Sequence, residues 1–136
     1  MATATGRCLC GAVRWEYAGE IGPAGICHCA DCRRMTGSAF NVGVRLRADG
    51  FRIVEGKLGS FAKRAESGNE LTRYFCSACG SPICGDSPQW PGVVFVRAGS
   101  FDDPTLVHVS HQSWTKSAVD WAQIPPDLPA FEKGRT

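Results

Sequence analysis

Eight cysteines constrain this chain more than any other feature, because seven of them fall in tight clusters. Cys8 stands with Cys10, Cys27 with Cys29 and Cys32, and Cys76 with Cys79, while Cys84 stands apart. The segment Met1 to Arg7 has no charged stretch leading into an apolar core, so it does not read as a secretion signal. A cytoplasmic protein is therefore expected. In that compartment thiols stay reduced, and closely spaced cysteines point to a metal rather than to disulfides. No apolar run approaches the roughly 18 residues of a membrane span. The formal charge of +2 is too small to imply a nucleic acid or a membrane surface, and thiolates binding two zinc ions would reverse its sign.

Cys76-Ser-Ala-Cys79-Gly80 is the clearest single motif. A C-x-x-C knuckle turns tightly enough to put both sulfurs on one ion, and the glycine after it permits the positive φ such a turn often needs. A redox C-x-x-C would open a helix in a βαβ context, which is missing here. Structural zinc takes four ligands, and Cys8 and Cys10 supply the other two: on an extended segment, residues i and i+2 project to the same face. Such a site would pin the start of the chain to a late hairpin and act in folding, shielded by the fold.

Cys27-His28-Cys29-Ala30-Asp31-Cys32 places three thiols within six residues. Three protein ligands leave a fourth tetrahedral position open, the arrangement of a catalytic zinc. Three thiolates make that zinc a weak Lewis acid, suited to a thiolate or polarised carbonyl. Cys84 could instead close the site into a second structural centre, but it reads as a buried β residue. His28, between two ligands, is expected to point away from them. Asp31 could orient Arg33 or His28.

The remaining pattern is β. Val13–Tyr17 and Asn41–Arg47 alternate apolar and polar residues, Phe51–Val54 does so less cleanly, and Leu106–Val109 reads as a further strand. Val93–Val96 is continuously apolar, the mark of a strand buried on both faces. Helix is expected only around Asp31–Met35 and Thr115–Trp121. The ending Ile124 to Phe131 is too rich in proline for helix or central strand and is expected to lie across the surface. Sixteen glycines and eight prolines punctuate these runs, as in one many-stranded domain.

Taken together, Cys8-Leu-Cys-Gly-Ala-Val-Arg14, Cys27 through Ser38 and Arg73 through Gly80 resemble the glutathione-dependent formaldehyde-activating enzyme family, which includes centromere protein V. Ala98 through Pro104, His108, Trp121 and Leu128 through Phe131 extend the likeness, so that it runs from Gly6 to Phe131. The resemblance implies a mainly β, Mss4-like single domain of short antiparallel sheets stapled by zinc, over residues 6–131. It implies two zincs per chain, one on Cys8, Cys10, Cys76 and Cys79 and the active one on Cys27, Cys29 and Cys32. The activity implied is a carbon–sulfur lyase acting on S-hydroxymethylglutathione. The alternatives are a zinc-stabilised binding module without catalysis, or the same site acting on another small thiol or aldehyde. Because glutathione carries two carboxylates, Arg33, Arg34 and Arg73 are candidate partners for it, and Thr36, Gly37 or Ser38 could contact the adduct oxygen. A chromatin role is not expected.

Overall fold

The computed structural model describes residues 2–135. Ten strands and one α-helix follow in order: β1 (Ala4–Arg7), β2 (Arg14–Tyr17), β3 (Ala24–Cys27), α1 (Ala30–Thr36), β4 (Asn41–Arg47), β5 (Phe51–Glu55), β6 (Leu58–Arg64), β7 (Glu70–Cys76), β8 (Pro82–Asp86), β9 (Val93–Arg97) and β10 (Val109–Ser113). They make a three-stranded sheet in the order β1-β2-β5 and a seven-stranded sheet in the order β10-β3-β4-β9-β8-β7-β6. The protein is mainly β, with antiparallel pairing throughout except where β10 runs parallel to β3.

Alternation along the strands sorts side chains onto two faces. Across the large sheet, Ala24, Val44, Val96, Cys84 and Tyr74 stand opposite one another in a single rung. The first four are buried, and with Leu46, Val94 and Ile83 they form one wall of the core. The small sheet supplies much of the rest, chiefly Trp15 and Tyr17, with Val13 just before β2. Trp15 is 1% exposed, packs edge-on against Phe101 at 4.9 Å and donates its indole N–H to Ser100 Oγ at 3.1 Å. Burying an indole of this size is worth on the order of 4 kcal/mol. Gly6 is required beneath it, since any Cβ there would run into the ring and into the Ser100 carbonyl.

Helix α1 starts where Cys29, in extended conformation, accepts the Cys32 N–H on its sulfur, and ends at Gly37, whose φ of 66° turns the chain out. The second expected helix is instead a pair of 3-10 turns, Thr115–Ser117 and Asp120–Ala122. The strand expected at Leu106–Val109 is displaced: Pro104–Leu106 is a 3-10 turn, and the strand that follows is the polar, exposed β10. Its signal is in the parallel pairing with β3, not in its own side chains. Strand β9 is buried only at Val94 and Val96, with its other residues half-buried on the far face of the sheet. In the proline-rich ending, Ile124, Leu128 and Phe131 are 84%, 55% and 58% exposed rather than laid into the surface. Among the described residues, no helix is long and apolar enough to cross a membrane.

Candidate metal centres and substrate trough

The cysteines gather into two groups. In each, the sulfurs lie within 4.8 Å of one another: Cys8, Cys10, Cys76 and Cys79 in one, Cys27, Cys29 and Cys32 in the other. Cys84 belongs to neither.

The four-cysteine group is built from two turns. The chain turns directly after β1, so Cys8 and Cys10 sit on a bend, closed by the Gly11 N–H to the Cys8 carbonyl at 3.2 Å, and not on the extended segment their spacing suggested. The second turn lies between β7 and β8, where Gly80 takes φ 80° and its N–H reaches the Cys76 carbonyl at 2.8 Å. Backbone amides are directed at the sulfurs. Val13 donates to Cys8 at 3.3 Å, Ala12 to Cys10 at 3.5 Å, and Ala78 and Cys79 both to Cys76 at 3.4 Å. Donors aimed at sulfur favour the thiolate. Contact with Ser81 holds Cys79 down at about 5. The Ala12 N–H lowers Cys10, but neighbouring sulfurs, Cys8 foremost, outweigh it and push Cys10 up to about 11. Cys8 and Cys76 are buried while Cys10 and Cys79 are exposed, so this group is the less shielded of the two, contrary to expectation.

The three-cysteine group joins the end of β3 to the start of α1, with Cys32 buried and Cys27 and Cys29 half-buried. The Cys32 thiol draws Cys27 down to about 5, and Cys32 is itself pushed far up by Cys27 and by burial. Three sulfurs this close cannot all be thiolates without a cation among them. Both groups thus fit a soft divalent ion: all-sulfur donors, converging positions and, in the first group, amides supporting the charge.

The three-cysteine group opens onto a trough of about 290 Å³ on the face of the large sheet opposite the core. Three rungs build it. Ser113, Cys27 and Asn41 form the first; His111, Gly25, Gly43 and Arg97 the second; Arg45, Phe95, Gly85 and Arg73 the third. Glycines floor it, and Trp90 caps one side, its ring 5.2 Å beneath the Arg45 guanidinium. A larger cavity, about 680 Å³, borders Cys8 and Thr36 but reaches none of Cys27, Cys29 and Cys32, so the trough is the site that meets the chemistry.

Of the arginines suggested by the sequence, Arg73 lines this trough and Arg33 and Arg34 do not; both sit in the last turn of α1. Ser38 is exposed and outside it. The Thr36 hydroxyl donates to the Cys32 carbonyl at 2.9 Å within its own helix. His28 is buried, edge-on to Phe40, with Nε2 2.8 Å from Gln112 Oε1. Asp31 pairs with Lys63 at 2.7 Å rather than with Arg33 or His28. Sequence reasoning missed Asn41, Arg97 and His111. The signal for the first was present in β4, where Asn41, Gly43 and Arg45 alternate with Val42, Val44 and Leu46.

Fold and site together define a two-sheet β protein carrying a four-cysteine and a three-cysteine centre. The family model described as glutathione-dependent formaldehyde-activating enzyme matches residues 3–117, and the chain belongs to that family. A relative from Halomonas elongata, described as a putative glutathione-dependent formaldehyde-activating enzyme, is 29% identical over 129 residues, covering 88% of this chain and 79% of that protein. The crystal structure of a Rhodobacter sphaeroides protein superposes with a TM-score of 0.59 at 23% identity, covering 80% of this chain and 99% of the other. At that identity the likeness bears on fold alone.

Proposed function

We propose that the chain is a zinc-dependent carbon–sulfur lyase that makes and breaks the bond between glutathione and formaldehyde in S-hydroxymethylglutathione. One observation carries the reading: Cys27 and Cys32 line the trough, so a three-sulfur centre faces a space open to a small molecule. The four-cysteine group is closed by its own four ligands, and folding is its proposed role.

In the forward direction the sulfur lone pair attacks the aldehyde carbon and the C–S bond forms. The carbonyl π pair moves onto oxygen, which takes the proton the thiol gave up. Nothing is oxidised or reduced. Zinc held by Cys27, Cys29 and Cys32 would supply positive charge favouring the thiolate and the developing oxygen charge. The protein positions and supports. Cys29 is fixed by the Cys32 N–H at 3.3 Å, which orients its sulfur and caps α1. Asn41 stands beside Cys27 across β3 and β4, and its amide lines the trough as a donor to bound substrate. Arg73 offers a guanidinium to a substrate carboxylate. In this reading Arg33, Arg34 and Ser38, away from the trough, have no part in binding.

The test is NMR exchange between free glutathione, formaldehyde and S-hydroxymethylglutathione, with and without the zinc-loaded chain. Acceleration that disappears in Cys29→Ser is the expected result. Exchange no faster than in buffer would end the lyase reading and leave a binding module.

A further inference from the structure

Arg97 has no obvious reason to be where it is. It lies in the centre of the seven-stranded sheet, its Nε is buried without a hydrogen-bond partner, and burial pushes its pKa down. A guanidinium nevertheless keeps its proton, so the charge stays and must be answered. No carboxylate answers it. The ion pairs among the described residues are Arg47–Asp49, Arg52–Glu16 and Lys63–Asp31, and no Asp or Glu lines the trough.

The surroundings add positive charge. Arg73 is buried, stands across Gly85 from Arg97 and opposes its charge. Arg45 lines the same trough. Cys32 and Cys27 attract Arg97, but three thiolates around a divalent cation leave one net negative charge against the guanidiniums of Arg97 and Arg73, with Arg45 exposed to solvent and Asp31 acting, of these, only on Arg73. The Arg97 guanidinium is thus left without a protein carboxylate against it, a setting that suits an anionic ligand.

Geometry gives the position of that ligand. At Gly43, the point where a Cβ would stand is 3.7 Å from Asn41 Nδ2 and 3.9 Å from Arg97 Nη1. Two donors thus converge over a residue with no side chain. Asn41 is 8% exposed and lines the trough, with its Nδ2 turned toward the Gly43 position. On the other side, Arg97 Nη2 lies 2.9 Å from the corresponding point at Gly85. The guanidinium therefore lies across the trough floor, with glycine on either side. Gly43 is two residues along β4 from Asn41, which pairs with Cys27, so a group held there is about 7 Å along the strand from that rung. A few covalent bonds span that distance.

We propose that Arg97 and Asn41 form a carboxylate-binding subsite over Gly43, with Arg73 as a second guanidinium, and that this chain prefers thiol–aldehyde adducts bearing an acid group near the reacting carbon. The inference deepens the lyase reading and rests on it for the identity of the reacting groups. A carboxylate suits the planar fork of Arg97 and an N–H of the Asn41 amide. It can belong to either half of the adduct.

Two arms separate the sources. In the first, the zinc-loaded chain is titrated by calorimetry with 3-mercaptopropionate and with 2-mercaptoethanol, which share the thiol and differ in the acid. In the second, NMR follows exchange of the adducts that 2-mercaptoethanol forms with glyoxylate and with formaldehyde. A preference of about tenfold or more for the acid-bearing partner is expected in at least one arm, as for one charged hydrogen-bonded contact. The arm that shows it identifies the half carrying the carboxylate. Arg97→Met should collapse that preference. Gly43→Ala should do so too by filling the subsite, and its methyl would meet nothing closer than 3.7 Å, so folding survives even where Arg97→Met does not. Equal values in both arms, or a preference that persists in Gly43→Ala, would overturn the subsite. A binding preference without any exchange of S-hydroxymethylglutathione would sustain the subsite while removing the proposed reaction.

Discussion

Cys84 and Cys27 lie on the same sheet and differ in which face they occupy. Cys84 is in the core rung beside Val96, where burial pushes its thiol up to about 12. It is a small apolar side chain there, so Cys84→Ala should cost roughly 1 kcal/mol and leave the zinc content unchanged by elemental analysis. Loss of one zinc equivalent would make it a ligand. Its ionisation also sets a pH window. The folded protein retains the Cys84 proton up to about 12, whereas the unfolded chain releases it near the ordinary value of 9.0. The contribution is therefore complete below pH 9 and is lost as pH rises toward 12. The gap between wild type and Cys84→Ala in urea midpoint should close and then reverse across that range, and a constant gap would mean Cys84 ionises normally. Gly85, one residue on, faces the trough. Gly85→Ala would bring a methyl to 2.9 Å from Arg97 Nη2 and 3.1 Å from the Thr72 carbonyl. Because one of those atoms is backbone, a loss of about 1–3 kcal/mol is expected in the same measurement.

Among the elements, the two cysteine groups differ in what they connect. Cys8 and Cys10 follow β1, while Cys76 and Cys79 join β7 to β8, so this group ties the small sheet to the large one. A zinc bound there is worth about 10–16 kcal/mol in small peptides, as much as most domains possess in total. Cys79→Ser should therefore unfold or aggregate the chain. Cys29→Ser should remain folded by circular dichroism, since it touches only the β3–α1 junction and serine is itself a good helix cap. Equal loss of signal in both variants would show that the groups do not divide their work this way. Legibility varied among the strands for a physical reason. Strand β4 announces itself because one of its faces is apolar and the other is not. Strand β9 reads as buried on both faces because Val93 and Phe95 are apolar, although they lie on the half-buried face and Phe95 lines the trough. Strand β10 carries no apolar face and exists by pairing its backbone with β3.

At the scale of the molecule, purification without chelator should yield about two zincs per chain and no iron by elemental analysis, given two all-sulfur centres. One zinc, or substantial iron, would contradict that. The closeness of cysteines within each turn was readable from spacing, but the meeting of Cys8 and Cys10 with Cys76 and Cys79 depends on the fold bringing the turn after β1 to the turn between β7 and β8. The β character was readable too, since a period of two is local. The trough was not. Its residues come from β3, β4, β7, β8, β9 and β10, and only strand order brings Arg97 beside Gly43 and Gly85. Arg33 and Arg34 are near the cysteines along the chain and Arg97 is far from them, yet the helix carries the first two away while the sheet delivers the third. Cysteines on one turn are brought together by local sequence; a pocket across six strands is determined by register, which the folded sheet alone sets.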